Sequence, residues 1–336
     1  MRIGIVGATG AVGREIMEIL AERQIPLTEL RLLASARSAG TKLPFRGQEL
    51  EIQTARPEAL ADLDYVLLSA GSGPSLALAG PAQAAGAVVI DNSSAFRMEP
   101  GVPLVVPEVN GHLITRQQTL YPVGNCTAIL LVMALTPIHR AFPIERVIVS
   151  TYQSASGAGA AAMEELQEQT QAFLNQEPVV PRIMPHPYAF NLFSHNTTID
   201  ETGWNGEESK VRAEARKIME APDLQLNVTC VRVPVLRAHT ETVHITFRDQ
   251  APTEDQVREL CAGFPGVRVV DDRANNHFPM PVDSSHGDEV LVGRFRRDPD
   301  DVRGFNLMLS GDQLRKGAAL NAVQILEAHA ALPPSE

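Results

Sequence analysis

Residues 4 to 16, "GIVGATGAVGREI", close an N-terminal apolar run with Gly7, Gly10 and Gly13 and lead directly into a helical pattern. A strand that turns into a helix through glycines leaves room for backbone to approach a pyrophosphate, which the helix N–H groups then hold. The spacing is GxxGxxG, a variant of the commoner GxGxxG, and glycine needed only for helix–strand packing is the competing reading. Either way, the opening segment is committed to a βα unit.

The rest of the first third repeats that unit. "LRLLAS", "YVLLSA" and "AVVID" are short apolar strands, with helices expected over residues 12–23 and 75–85. Nearly unbroken apolar strands separated by helices specify a parallel sheet covered on both faces. From about Arg146 the pattern becomes alternating: "RVIVSTYQ", "NVTCVRVPVL", "ETVHITF", "VRVVDD", "VLVGRFRRD" and "FNLMLSGD". This predicts a mostly antiparallel sheet in an α+β domain. A final helix is expected over residues 313–331, and residues 176–205, rich in Pro, His and Asn, read as a long irregular excursion serving a site or a subunit contact. The expected organisation is a Rossmann-type α/β domain, residues 1–126 completed by 313–336, followed by a catalytic and dimerisation domain, 127–312.

An NAD site usually carries an acid at the end of the second strand to hold the ribose 2′-hydroxyl. Here "LLASARSAG" offers Ser35, Arg37 and Ser38 and no carboxylate. Arginine and hydroxyls suit a 2′-phosphate, so NADP is favoured, unless Arg37 is merely solvated. Ser69 and Gly71, small residues after the third strand, would let a cofactor cross the sheet edge. No GxxxxGK[ST] occurs, which removes P-loop hydrolases from consideration.

The 336 residues suit two domains, and a formal net charge of -11 argues against nucleic-acid partners. Cys126, Cys230 and Cys261 are too scattered for a disulfide framework, and no CxxC suggests zinc. His239 and His244 in "HTETVH" are five apart and face opposite ways on a strand, so no metal is expected. "MRIGIVGATG" lacks signal-peptide character, and the longest apolar run is too short to span a bilayer. A cytoplasmic protein with no membrane partner is expected.

Cys126 stands in "YPVGNCTAILLVMAL", at the start of an apolar run. It is either a core residue opening a buried helix or a thiolate favoured by that helix's positive end. A thiolate beside a nicotinamide implies aldehyde chemistry through a thiohemiacetal and a thioester. Asn125 could cap the helix or hydrogen-bond the reacting oxygen.

"GIVGATGAVG", "DNSSAFR", "PLVVPEVN", "GNCTA", "STYQSASGAG", "EESKVRAEARKI", "VRVPVLRAHTETV" and "SGDQLRKGAALNAVQI" follow the order seen in bacterial aspartate-semialdehyde dehydrogenases, which the chain resembles over nearly its whole length. The resemblance implies NADPH-dependent reductive dephosphorylation of aspartyl phosphate to aspartate semialdehyde and phosphate, a step toward lysine, methionine and threonine. It makes Cys126 the nucleophile and His239 the general acid/base, with Gln153 and Asn125 at the reaction centre. Arg232 would bind the substrate carboxylate, Glu207 its ammonium, and Arg97 and Lys210 the phosphate. Thr9, Gly10, Ala11, Val12, Ser35, Arg37, Ser38, Ser156, Gly157, Gln313 and Asn321 would line the cofactor site. Strand parity alone does not choose between Arg232 and Arg237 for the carboxylate. Glu207 and Lys210 share a helix face, as a surface ion pair also would. The family usually reads Asn-Pro-Asn-Cys where this chain has Val123-Gly124-Asn125-Cys126. At least a homodimer is implied, with a tetramer the alternative. Two rivals are N-acetyl-γ-glutamyl-phosphate reductase, whose acylated substrate has no ammonium for Glu207, and a cofactor-binding protein without catalysis.

Overall fold

A computed structural model describes residues 1–333, and every count refers to them. The chain divides into two compact units: Met1–Gly124 with the segment from Ala318 onward, and Asn125–Gly317.

In the first unit, β1 (Arg2–Val6), α1 (Ala11–Glu22), β2 (Glu29–Ala34), β3 (Lys42–Phe45), β4 (Gln48–Thr54), β5 (Tyr65–Leu68), α2 (Ser72–Ala84), β6 (Val88–Asp91), α3 (Pro107–Asn110) and β7 (Leu120–Pro122) follow one another. The seven strands form one sheet in the order β3-β4-β2-β1-β5-β6-β7. All neighbours are parallel except the β3–β4 hairpin at one edge. The inner strands β5 and β6 are buried along their length, as a sheet covered on both faces requires. Strand order reverses at β1, and the glycine turn follows β1 directly.

The second unit starts with α4 (Cys126–Ala141), then β8 (Ile144–Gln153), α5 (Ala160–Leu174), β9 (Phe193–Ser194), α6 (Gly206–Ile218), β10 (Gln225–Arg232), β11 (His239–Phe247), α7 (Glu254–Ala262), β12 (Val267–Val269), α8 (Pro281–Ser284), β13 (Val290–Arg297) and β14 (Gly304–Gly311). Its sheet runs β12-β13-β14-β11-β8-β10-β9, antiparallel except for β12–β13 and β8–β10. Helix α4 packs on α6, α7 and the sheet, and its residues from Thr127 to Ile138 are all buried. A helix apolar on every side belongs inside a core.

Two expected boundaries move. The strand "NVTCVRVPVL" ends at Arg232, because Pro234 has no N–H for a ladder; the chain then loops to His239. The last α-helix, α9 (Leu320–Ala330), starts later than residue 313. Before it, Asp312 accepts bonds from the Leu314 and Arg315 N–H groups, and Arg315–Ala319 form a π-helical turn that brings Gly317 against Cys126. Residues 176–205 are irregular apart from β9 and short turns. Among the described residues no helix is long and apolar enough to cross a membrane.

Candidate active site

Strand alternation builds the centre of the second unit. On β8, Val147, Val149, Thr151 and Gln153 face the core, while Ile148 and Tyr152 face outward. On β10 the inward set is Leu226, Val228, Cys230 and Arg232. On β11 it includes His239, Glu241, Val243 and Ile245. Registers pair Gln153 with Arg232 and Tyr152 with Thr240. Arg232, Gln153 and His239 therefore end three adjacent strands in a row, all directed to the face that α4 covers.

Asn125 is the cap of α4: its Oδ1 accepts from the Ala128 N–H at 3.1 Å. Cys126 consequently occupies the first helical position, where unpaired N–H groups and the helix dipole favour a thiolate. Its Sγ lies 3.6 Å from His239 Nε2. The Ser154 N–H donates to His239 Nδ1 at 3.0 Å, and the Ser154 hydroxyl lies at 3.0 Å from the same atom. A backbone N–H can only donate, so Nδ1 accepts, and the neutral ring carries its proton on Nε2, facing the sulfur. Complete burial, reinforced by Arg232, pushes the imidazole down to about 3, so it is neutral across the ordinary working range.

Glu207, in the first turn of α6, is buried in the same cluster. Its Oε1 accepts from the Asn125 amide at 2.8 Å and the Gln153 amide at 3.0 Å, and Lys210 Nζ lies 3.8 Å from Oε2. Burial opposes its ionisation, but His195, the Asn125 amide, Lys210 and the Gln153 amide together hold it below the usual carboxylate range. Arg232 is buried and donates to Ser154 O at 3.2 Å and Asn196 Oδ1 at 3.3 Å. Its competitor Arg237 bonds Asp312 at 2.6 Å. A Cβ at Gly157 would come within 2.9 to 3.0 Å of the His239 ring and 3.4 Å of Arg232, so only glycine keeps that space open. Ser156 accepts from Gln313 Nε2, whose Oε1 in turn accepts from the Ala238 N–H at 3.0 Å.

The first unit holds a separate groove of about 700 Å³, lined by Gly7, Thr9, Gly10, Ser35, Arg56, Ser69 and Pro74 among others. Gly7 has φ +89°, and a Cβ there would meet Ser69 O at 2.5 Å. Gly10 starts α1 with no side-chain cap, so the N–H groups of Ala11, Val12 and Gly13 face a site with no side chain competing for them. These features fit a dinucleotide's pyrophosphate. Arg37, Ser38 and Gly71 are not among the lining residues. Arg97 and Asn321 also belong to the first unit, donating to Asn92 O at 3.0 Å and Val105 O at 2.9 Å.

Motif reading passed over Ser154, Glu214 and Gly317. Ser154 orients His239, and Glu214 accepts from the Asn125 N–H at 2.5 Å. A Cβ at Gly317 would lie only 2.9 Å from Cys126 Cβ. None has a local sequence signal, because each acts on a residue distant in the chain.

The family model described as semialdehyde dehydrogenase, NAD binding domain, matches residues 2–117, and the one described as semialdehyde dehydrogenase, dimerisation domain, matches residues 135–316. An aspartate-semialdehyde dehydrogenase of Synechocystis is 50% identical over 97% of this chain and 96% of its own, and one of Bacillus subtilis is 45% identical over 97% and 96%. The crystal structure of aspartate semialdehyde dehydrogenase II complexed with ASA from Vibrio cholerae superposes with a TM-score of 0.94 at 40% identity, covering 98% of both chains.

Proposed function

The chain belongs to the aspartate-semialdehyde dehydrogenase family, and on that premise we propose that Cys126 carries the reductive dephosphorylation of aspartyl phosphate to aspartate semialdehyde as an acyl-thioester. The observation that carries the residue assignment is the Cys126 thiol on an α4 N-terminus facing the Nε2 proton of a neutral His239.

In this reading, the thiolate attacks the acyl carbon, the C–S bond forms, and phosphate leaves with the electrons of the C–O bond. NADPH, when bound, supplies the hydride that reduces the thioester. His239 Nε2–H hydrogen-bonds the oxyanion of the thiohemiacetal, which re-forms the carbonyl as the C–S bond breaks, so the thiolate is restored as the aldehyde departs and the proton stays on Nε2. The Ser154 N–H keeps the proton on the nitrogen that faces the chemistry. Arg232, buried and without a carboxylate partner among the described residues, is matched to the substrate's α-carboxylate by a two-pronged contact. Glu207, held ionised, pairs with the substrate ammonium, while Lys210 holds phosphate. Gln153 and Asn125 orient Glu207 from two sides.

The first unit binds the cofactor through the glycine turn, Ser35 and Ser69, flanked by Arg37, Ser38 and Gly71. NADP is assigned because no acid follows β2 to repel a 2′-phosphate. The enzyme works as a homodimer through its second unit, in keeping with the dimerisation-domain match. It acts in the cytoplasm, where its three free cysteines stay reduced.

Purified protein is assayed with aspartate semialdehyde, phosphate and NADP, and in parallel with N-acetylglutamate semialdehyde. Turnover of the first and a mass adduct confined to the Cys126 peptide are expected. Turnover of only the acetylated substrate would assign the rival reductase activity.

A further inference from the structure

We propose that Glu214, on α6, is the positioning residue of the nucleophile. It supplies, from a neighbouring helix, the acceptor that the cap of α4 lacks, and so fixes the backbone from which Cys126 projects. The inference rests on Cys126 being the thiol that reacts and goes further by naming what holds it in place. A well-capped helix start satisfies two donors reciprocally. The cap side chain accepts from the N–H of the third helical residue, and that residue's side chain accepts from the cap N–H. Both α6 and α7 do this within their own segments, through Asn205 with Glu208 and Thr253 with Gln256. In α4 the third helical residue is Ala128, whose N–H donates to Asn125 Oδ1 at 3.1 Å but whose methyl cannot return the bond. Glu214 returns it instead, its Oε2 accepting from the Asn125 N–H at 2.5 Å across 89 positions of chain.

The exchange is buried, with Asn125 6% and Glu214 1% exposed, so the N–H would have no water to turn to if that acceptor were removed. Glu207 and Glu214 stand seven residues apart on one face of α6, and both reach Asn125. The first accepts from its amide nitrogen at 2.8 Å, the second from its backbone N–H. The Asn125 carbonyl accepts from the Ile129 N–H at 2.9 Å. Each polar group of Asn125 is therefore engaged, which leaves Cys126, the next residue, little freedom. Behind it, a Cβ at Gly317 would lie 2.9 Å from Cys126 Cβ, so backbone packs directly against the root of the thiol. The two carboxylates of α6 have separate tasks: Glu207 faces the substrate, and Glu214 holds the backbone.

The test uses the whole enzyme and two variants of similar volume: Glu214→Gln, which keeps an acceptor oxygen, and Glu214→Met, which has none. Both remove the charge, so the difference between them reports the hydrogen bond. Measured are kcat and KM for aspartate semialdehyde and the melting temperature, with Cys126→Ser assayed in parallel. Glu214→Met is expected to have a kcat about 10-fold or more below that of Glu214→Gln. Its KM should stay within about threefold, because Glu207 and Arg232 are untouched. Equal kcat in the two variants would overturn the proposal, as would a Glu214→Met that loses only melting temperature. Should Glu214→Met not fold, Glu214→Asp decides, since it keeps the charge but withdraws the acceptor by one methylene. A kcat below that of Glu214→Gln is then expected; the reverse order would assign the effect to charge and sink the hydrogen-bond argument. If Cys126→Ser is inactive while the Gln and Met variants are alike, Glu214 alone is wrongly assigned. If Cys126→Ser keeps turnover, the nucleophile reading and this inference fall together.

Discussion

Cys126 Sγ and His239 Nε2 are 3.6 Å apart, with the Ser154 N–H on the ring's other nitrogen and Gly157 leaving the ring its space. Cys126→Ser should lower kcat by at least about 10³-fold while NADP binding, titrated separately, stays within about twofold. Gly157→Ala places a methyl 3.0 Å from Nε2, where the proposed mechanism puts the reacting oxygen. Activity should fall by about 100-fold or more with an unchanged melting temperature; wild-type turnover would mean that the space is not used. The buried groups also set opposite pH responses in stability. His239 resists protonation until about pH 3, whereas an unfolded histidine takes a proton near 6.5. Stability from this group is complete above 6.5 and drains as pH falls toward 3. Glu241 is fully buried with both oxygens lacking a hydrogen-bond partner, and burial raises its carboxyl well above the usual range. Its folded form stays protonated where the unfolded form ionises, so stability declines as pH rises through the unfolded value. Glu241→Gln should flatten that alkaline decline in thermal melts taken from about pH 5 to 9, and parallel curves for the two proteins would contradict the buried neutral acid.

At the level of elements, α4 and the three strand ends were matters of pattern. Alternation on β8, β10 and β11 directs Gln153, Arg232 and His239 inward, and the sequence shows that alternation plainly. Asn125 illustrates what pattern leaves open. Its two anticipated roles were capping and contact with the reacting oxygen. The first is observed, its oxygen capping α4, while its amide nitrogen is engaged by Glu207. Asn125→Ser should keep the cap and lose the amide, so the melting temperature should fall little while KM for aspartate semialdehyde rises. Asn125→Ala should lose both, with an added stability loss of about 1 kcal/mol measured by denaturant unfolding. Equal stability of the two variants would remove the capping argument.

For the whole molecule, the outward face of the second sheet exposes Ile148 at 44% and Tyr152 at 38%, on the strand whose other face is core. Large apolar groups on an open sheet face call for a covering partner, and a second copy is the occupant the dimerisation-domain match supports. Ile148→Asp with Tyr152→Asp should convert a dimer to a monomer in sedimentation velocity, with cofactor binding by the first unit retained. A dimer that persists would place the interface elsewhere.

By itself, the sequence determined the parallel sheet, the glycine turn and a mostly antiparallel second sheet, because periodicity and turn chemistry act over a few residues, whereas Cys126, Gln153, Arg232 and His239 were singled out through the family resemblance. The tertiary structure alone decided which nitrogen of His239 carries the proton, that Arg232 remains available while Arg237 is spent on Asp312, and that the π-helical turn at residues 315–319 packs Gly317 against Cys126. Those outcomes depend on contacts between residues 75 or more positions apart, the span from Arg237 to Asp312, and no local pattern encodes such a pairing.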